Sequence, residues 1–245
     1  MIGLQARQSP SVLKAKEIVE SGKLGKILGT TMFGHGMIAG KIAPEAHEYS
    51  LDIENGANIL TVPFSHAVDA LCYVLGEIKD LSATLGNNLP EVTIVDKDMK
   101  PIRTTKKTAH EFVSITGTLV SGGNVDVQYT GGMSRTGRNF YWEIIGTDGS
   151  LVLEGPNGHI QMYQPSVKFV GGEQDAKLEQ IEVEKAGRPD EGDFSFNVGR
   201  AWDALAGVGL EKGSSVTTWD EALVRHKMID AIYRSVETGK RQSYL

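Results

Sequence analysis

Residues 111–153 read EFVSITGTLV SGGNVDVQYT GGMSRTGRNF YWEIIGTDGS LVL, and this stretch decides the fold class. Polar and apolar side chains alternate along 111–119 and 124–129, which is typical of antiparallel strands with one face on a core. Asp148-Gly149 is a favoured hairpin turn because glycine tolerates the positive φ that a tight turn needs. The stretch therefore predicts neighbouring strands of an antiparallel sheet.

The patterns on either side add more elements. Further strands are predicted at 26–36, 78–85, 140–145, 150–153, 159–163, 167–170 and 180–183. Apolar residues at helical spacing predict helices at 10–21, 56–75, 194–210 and from the Thr218 cap to Gly239. Pro63 requires either a helix start near residue 62 or a kink. No regular element is predicted for 37–55 or 87–107.

This order of elements is that of an α+β fold. We expect a large, predominantly antiparallel sheet with helices packed on one face, in a single domain over residues 1–245. The alternation is too apolar for the other face to meet water, so we expect a second copy there, in a homodimer. The aromatic residues expected at that interface are Phe112, Tyr129, Phe140, Trp142 and Tyr163.

Composition argues against several classes of function. The 245 residues carry a net charge of −6 and no cluster of Lys and Arg, so a nucleic-acid surface is not expected. Without a signal peptide or an apolar run near 18 residues, a cytoplasmic protein that binds no membrane is expected. The single cysteine, Cys72, lies in an apolar run and predicts a buried thiol. The six histidines show no ligand spacing, so no metal site is predicted.

Several motifs together resemble the Gfo/Idh/MocA oxidoreductases, which include glucose–fructose oxidoreductase and inositol dehydrogenase. The similarity is to the C-terminal part of that family and covers nearly the whole chain. The run 3–10 and the segment around His66 are most similar to a fungal branch related to the galactose-pathway repressor of yeasts. The matching motifs are GLQAR with Ser9-Pro10, ESGKLG at 20–25, GANIL at 56–60 with His66 and Asp69, WEIIGTDGSL at 142–151 and AIYRSVETG at 231–239.

The resemblance also identifies two departures. The family's nucleotide-binding half, with its glycine-rich phosphate loop, would lie before this chain, and Gly34-His-Gly36 is a poor substitute because no helix follows it. The family places an Asp four residues before its catalytic histidine, where a carboxylate orients the imidazole. Here that position is Val62. Hydride transfer by this chain alone is therefore not expected, and no cofactor is predicted.

The candidate catalytic residues are His66 and Tyr49, as acid and base. For His66 the alternative is a structural role, as a half-buried histidine whose ring is hydrogen-bonded to the backbone. Asp69, one turn later, either partners His66 or stabilises a neighbouring loop. The loop residues are more often solvated than functional, and Trp142 is more often core or dimer interface. The candidate substrate contacts are His35, Lys41, His47, Asn58, Arg135 and Trp142, with Glu48 in the same loop.

Three functions are consistent with these residues. The first is a stand-alone, cofactor-independent enzyme that uses a repurposed substrate pocket for isomerase, lyase or cyclase chemistry on a small molecule. The second is a non-catalytic binding or regulatory module. The third is the substrate domain of an NAD(P)-dependent oxidoreductase whose nucleotide domain is supplied separately. Residues 2–7 resemble a strand without its sheet, so we expect residues 1–22 to be disordered, exchanged between protomers or docked on the domain.

Overall fold

The fold is a mixed eight-stranded sheet with helices packed on one face. The computed structural model describes residues 1–185, 193–208 and 215–245. Its helices are α1 (Pro10–Glu20), α2 (Ser65–Leu75), α3 (Phe196–Ala206) and α4 (Trp219–Thr238). Its strands are β1 (Ile27–Gly36), β2 (Ile42–Pro44), β3 (Ile78–Gly86), β4 (Glu91–Val95), β5 (Pro101–Lys106), β6 (Phe112–Leu119), β7 (Asn124–Gly131), β8 (Phe140–Gly146), β9 (Gly149–Gly155), β10 (Ser166–Gly171) and β11 (Glu179–Ile181).

The large sheet has the strand order β11-β10-β9-β8-β1-β7-β6-β3. Neighbouring strands pair antiparallel except β1 and β7. These two run parallel, so the end of β1 lies beside the end of β7. The predicted α+β class is confirmed. The hairpin at Asp148-Gly149 joins β8 to β9 in register, as its turn chemistry predicts.

Helices α1, α2 and α4 share one hydrophobic core with the inner face of the sheet. Ser9 and Pro10 begin α1 as predicted, since proline has no N–H to lose at the first helical position. The capping box of Thr218 and Glu221 begins α4, and Gly239 in the left-handed conformation ends it. The apolar segment Ile53–Leu75 has the length and composition of a membrane span, but 78% of its most apolar 18-residue window is buried inside the fold.

Several predicted elements were wrong. Residues 159–163 do not form a strand but a short 3₁₀ helix, Ile160–Met162, because the Met162 N–H turns back to the carbonyl of His159. Residues 87–107, left without an element, contain β4 and β5, which form a second sheet with β2. A buried ammonium joins the two sheets, because Lys107 Nζ donates to Asn87 Oδ1 and Glu111 Oε2 at 2.8 and 2.5 Å.

The N-terminal segment is docked on the domain, which is one of the three outcomes expected for it. Gln5–Gln8 is a 3₁₀ helix and not a strand. The N–H of Ile2 donates to the carbonyl of Thr217 at 3.0 Å, and the Arg7 side chain is buried. A helical turn satisfies the backbone locally, so the segment needs no sheet partner.

The aromatic residues assigned to a sheet interface mostly belong to the core. Tyr129, Phe140, Trp142 and Tyr163 are buried, because the positions of these strands that point to the helices carry the large side chains. The open face instead carries Phe112 together with Phe33 and Tyr141, whose rings stack 5.7 Å apart. The guanidinium of Arg138 lies over both of these rings, at 4.5 and 4.4 Å.

Candidate functional site

His66 lies in the first turn of α2, directly after a π-helical turn, Leu60–Phe64. Pro63 causes that turn: proline has no N–H for the carbonyl of Ile59, and the N–H of Phe64 takes its place at 3.0 Å. Asn58 caps the start, its Oδ1 accepting the N–H of Leu60 at 3.0 Å. The predicted kink at Pro63 is therefore present as a π-helical turn, and it sets the direction in which His66 leaves the helix.

The environment of His66 keeps its imidazole neutral. The ring is half-buried, and its Nδ1 is buried without a hydrogen-bond partner among the described residues. Burial lowers the pKa of His66 to about 4. Val62, one turn earlier, is exposed and supplies no charge that could counter this. The imidazole can exchange hydrogen bonds with a ligand, but it carries no positive charge at neutral pH.

A second histidine, His159, lies within electrostatic range of the first. It is 5% exposed, and its Nε2 accepts the N–H of Met37 at 3.2 Å. The proton of the neutral ring therefore belongs on Nδ1. Burial, with a smaller contribution from neighbouring His66, lowers the pKa of His159 to about 4. The site is thus a pair of neutral imidazoles where β1 ends and α2 begins.

Sequence reasoning did not single out His159. The sequence feature that could have indicated it is the turn before it, at Asn157. The Oδ1 of Asn157 accepts the N–H of His159 at 2.8 Å and so fixes the backbone from which the ring projects. The N–H of Gly158 also donates to the carbonyl of His35 at 2.8 Å. The second bond attaches the 157–159 turn to the end of β1, and this attachment brings the second imidazole to the site.

Asp69 does not partner His66 but lies at the centre of a buried ion network. Arg7 Nε and Nη2 donate to its two carboxylate oxygens at 2.7 and 2.8 Å, and Arg225 Nε lies 3.4 Å from Oδ1. Arg7 also pairs with Glu221, and Arg225 with Glu77. The carboxylate of Asp69 therefore joins the N-terminal segment, α2 and α4.

The Cys72 thiol borders the same network, as the acceptor of a 3.2 Å contact from Arg225. Burial raises the pKa of this thiol to about 12, so it remains protonated. The prediction of a buried, inert thiol is confirmed.

Several other candidate residues lie on an exposed loop region. Tyr49 and His47 are exposed on a 3₁₀ helix, Glu45–Leu51, with their rings 6.4 Å apart. On the same helix Glu48 accepts a 2.5 Å hydrogen bond from Arg103. Lys41 and Arg135, which lie outside this helix, are also exposed. This loop region is therefore a solvated surface.

Three further candidates have structural roles in the described part of the chain. His35 lies on the open side of the sheet, its Nδ1 3.3 Å from the carbonyl of Gly132. Asn58 is buried and caps a helix. Trp142 is 0% exposed and donates to Thr30 Oγ1 at 2.9 Å, so the structure places it in the core and not beside a substrate.

The described cavities open at another edge of the fold. They lie along α1, β10 and β11; one of about 250 Å³ is lined by Lys14, Ile18, Phe169 and Glu182 among others. None of these cavities includes His66. An enclosed pocket beside His66 and His159 therefore remains a prediction. Among the described residues no group of three or more His, Cys, Asp or Glu side chains could hold a metal ion.

A mixed sheet covered on one face by α1, α2 and α4, with a histidine at the start of the central helix, defines the C-terminal domain of Gfo/Idh/MocA-type proteins. Within that class, the chain belongs to the family described as Gal80p, C-terminal domain, which matches residues 10–155. The resemblance inferred from the sequence is confirmed.

The relatives include an enzyme and regulators. The chain is 32% identical over 249 residues to dehydrogenase aclE of Aspergillus oryzae, covering 100% of this chain and 64% of the relative. It is 31% identical over 177 residues to the galactose/lactose metabolism regulatory protein GAL80 of Kluyveromyces lactis, covering 70% and 39%. The chain therefore spans less than two thirds of the length of these relatives.

Solved structures show the same fold. A super-repressor mutant of Gal80p from Saccharomyces cerevisiae superposes with a TM-score of 0.87 at 24% identity, over 99% of this chain and 64% of that one. Levoglucosan dehydrogenase in its apo form superposes with a TM-score of 0.77 at 18% identity, over 99% and 66%.

Proposed function

We propose that this domain binds a small, uncharged, hydroxyl- or carbonyl-bearing molecule at His66 and His159, and that it performs no redox chemistry by itself. The observation that carries the proposal is the pair of adjacent neutral imidazoles, one with a buried ring nitrogen that lacks a partner. A ligand hydroxyl or carbonyl that reached His66 would offer its Nδ1 the hydrogen bond that this nitrogen lacks.

The neutral state of both imidazoles favours an uncharged ligand. With both imidazoles neutral at pH 7, neither supplies the positive charge that would offset the desolvation of a phosphate or carboxylate. The names of the relatives agree with this chemistry: GAL80 is named for galactose and lactose metabolism, and one levoglucosan dehydrogenase structure holds NADH and levoglucosan. We therefore propose a neutral sugar or a related polyol as the ligand class.

Binding is better supported than independent catalysis. A base with a pKa of about 4 is a weak proton acceptor at pH 7, and the general bases of efficient enzymes lie nearer the working pH. Neither candidate partner assists it, because Tyr49 lies on the exposed loop and Asp69 is held by two arginines.

Non-redox isomerase, lyase or cyclase chemistry is the second candidate. The match over the whole of this chain to a relative named as an enzyme supports a catalytic role, although that relative is named for redox chemistry. In that case a His66→Ala variant with an intact fold would lose turnover, and full turnover by that variant would remove the histidine from the mechanism.

The binding proposal is tested by titration calorimetry of the full chain with levoglucosan, L-sorbose and galactose, and with glucose 6-phosphate and NADH for comparison. We expect one of the neutral sugars to bind, and the phosphate and NADH not to. In His66→Phe, which keeps the ring but removes its nitrogens, affinity should fall about 5–100-fold, the value of one or two hydrogen bonds. His226→Phe, at an exposed position of α4, is the matched control. Preferential binding of the phosphate would contradict the proposal.

We also propose that the open sheet face pairs with a second copy. Its centre carries short side chains in register, Thr31 beside Asp126 and Asp126 beside Thr116, flanked by the stacked rings of Phe33 and Tyr141. Thr31→Arg should convert the dimer to a monomer in analytical ultracentrifugation, because a long side chain replaces a short one at the centre of a symmetric interface and prevents close packing. A wild-type monomer at micromolar concentration would contradict this arrangement.

A further inference from the structure

The edge of the large sheet at β11 carries no further strand in the described part of the chain. Strand β11 is the last in the sheet order, and it pairs only with β10, from Glu179 to Ile181. In an antiparallel pair, alternate residues of the outer strand turn their N–H and carbonyl groups away from the partner. Such outward-facing groups are a template for hydrogen bonds to an additional extended strand.

A groove runs beside this edge, between β11 and helix α1, and we name it the α1–β11 groove. One cavity of about 280 Å³ includes Leu13 and Val183, and the next, of about 250 Å³, includes Ile18, Phe169 and Ile181. These five side chains are buried in the main core or packed against it, apart from Leu13, which is 5% exposed. The groove therefore has an apolar floor. A strand added to β11, about 4.8 Å farther out, would place the side chains of one face over this floor.

The rim of the α1–β11 groove is acidic. Glu17, Glu182 and Glu184 line it, and the last two are exposed and form no ion pair within the described ranges. Lys14, the one lysine in this cavity, is held by Glu17 at 2.9 Å. Carboxylates also predominate over the segment 173–184, where Lys177 stands against Glu173, Asp175, Glu179, Glu182 and Glu184.

These charges indicate which occupant fits the edge. A second copy of β11 would bring glutamates of the two chains close together, and like charges opposite each other destabilise a strand pair. A segment with lysine or arginine at alternate positions would instead meet the carboxylates, and apolar side chains between them would cover the floor. Such a segment needs about six residues, because 179–184 spans about 20 Å at about 3.3 Å per residue.

We propose that β11 and the α1–β11 groove bind an extended segment of another protein, in which lysine or arginine alternates with valine or isoleucine, by strand addition to the sheet. Hydrogen bonds between the main chains supply affinity, and the apolar floor with its acidic rim supplies specificity. This inference is independent of the ligand proposed for His66, because none of the cavities along this groove includes that histidine.

The test is fluorescence anisotropy of the full chain with a labelled peptide of about seven residues in which lysine and valine alternate. We expect saturable binding that weakens as the salt concentration rises. A peptide of the same composition, with its lysines and valines in two separate blocks, should bind at least about 10-fold more weakly. N-methylation of alternate peptide bonds should abolish binding in one register and spare it in the other, because only every second N–H faces β11.

The matching change in the protein is Glu182→Lys together with Glu184→Lys, which should weaken binding of the alternating peptide about 10-fold or more at low salt. The matched control is Glu91→Lys together with Glu237→Lys, which reverses two carboxylates elsewhere and should leave affinity unchanged. All four positions are exposed, so both proteins are expected to keep the fold.

Three results would overturn the proposal: no binding of the alternating peptide by the wild type, equal binding of the block peptide, or unchanged affinity in the Glu182→Lys, Glu184→Lys protein. Equal binding of both N-methylated peptides would also overturn it, because strand addition requires one set of N–H groups. A wild-type oligomer that the same double variant dissociates would contradict it as well, by identifying the occupant as a second copy.

Discussion

Replacing Asp69 with alanine is expected to lower the free energy of unfolding by about 3–5 kcal/mol, the cost of leaving buried charges without their partner. Asp69 accepts two hydrogen bonds from Arg7, at 2.7 and 2.8 Å, and lies 3.4 Å from Arg225. Both guanidiniums are buried, so water cannot replace the carboxylate. Urea denaturation of the variant and the wild type measures the difference.

The matched control is Asp230→Ala on α4, which removes an exposed i,i+4 pair with Arg234 and should cost less than about 1 kcal/mol. Limited proteolysis adds a second readout. Because Arg7 holds the N-terminal segment through Asp69, residues 1–9 of Asp69→Ala should be cleaved faster before the domain unfolds. A loss below 1 kcal/mol with unchanged proteolysis would show that the network does not anchor the segment.

Acidification from pH 7 to pH 4.5 is expected to destabilise the domain through His66 and His159. In the folded state burial lowers the pKa of each to about 4, whereas the unfolded value is about 6.5. The unfolded chain therefore binds more protons between these values, and stability falls as the pH falls. The more completely buried His159 should contribute about 2–3 kcal/mol by pH 4.5, and the half-buried His66 less.

Carboxylates also titrate as the pH falls, so the histidine contribution is isolated by comparison with His159→Phe. The difference in stability between pH 7 and pH 4.5 should be smaller in this variant by about 2–3 kcal/mol, while His226→Phe, at an exposed site, should retain the wild-type dependence. Equal pH dependence in all three proteins would mean that the imidazole at position 159 is not buried and neutral.

Much of the fold follows from local sequence rules. Alternation specified β6 and β7, Asp148-Gly149 specified a hairpin, and Thr218 with Glu221 specified the start of α4. These signals depend on neighbours in the chain. Strand β4 was missed although its sequence, EVTIV, is rich in β-branched residues, whereas β5, PIRTTK, is polar and exposed and is stabilised by pairing with β4.

Side-chain direction was harder to predict than element type. The spacing predicted α3 as a helix but not which of its apolar side chains are buried, because periodicity does not show which side of a helix meets the core. The alternation of side chains between the two faces of a strand similarly could not show that Trp142 points to the helices. The loop candidates Tyr49 and Lys41 depended on a tertiary placement that spacing does not contain.

At the site, the motif singled out His66, and Val62 stands where the resemblance implies a carboxylate one turn earlier. The partner that lies beside His66 comes from a turn far along the chain. His159 reaches it through the bond between Gly158 and the end of β1, and this long-range contact has no sequence signature. Buried ion pairs such as Arg7 with Asp69, 62 residues apart, are hidden for the same reason.

The central claim is that two neutral imidazoles form a binding site for an uncharged, hydroxylated ligand. Nitrogen-15 NMR of the histidine side chains at pH 7, with and without the sugar that binds in calorimetry, tests it most directly. We predict that His66 and His159 are neutral in the free protein. Among the six histidines, only these two should change their nitrogen-15 chemical shifts when the ligand binds. A protonated His66 at pH 7, or a bound sugar that leaves both imidazole signals unchanged, would contradict it.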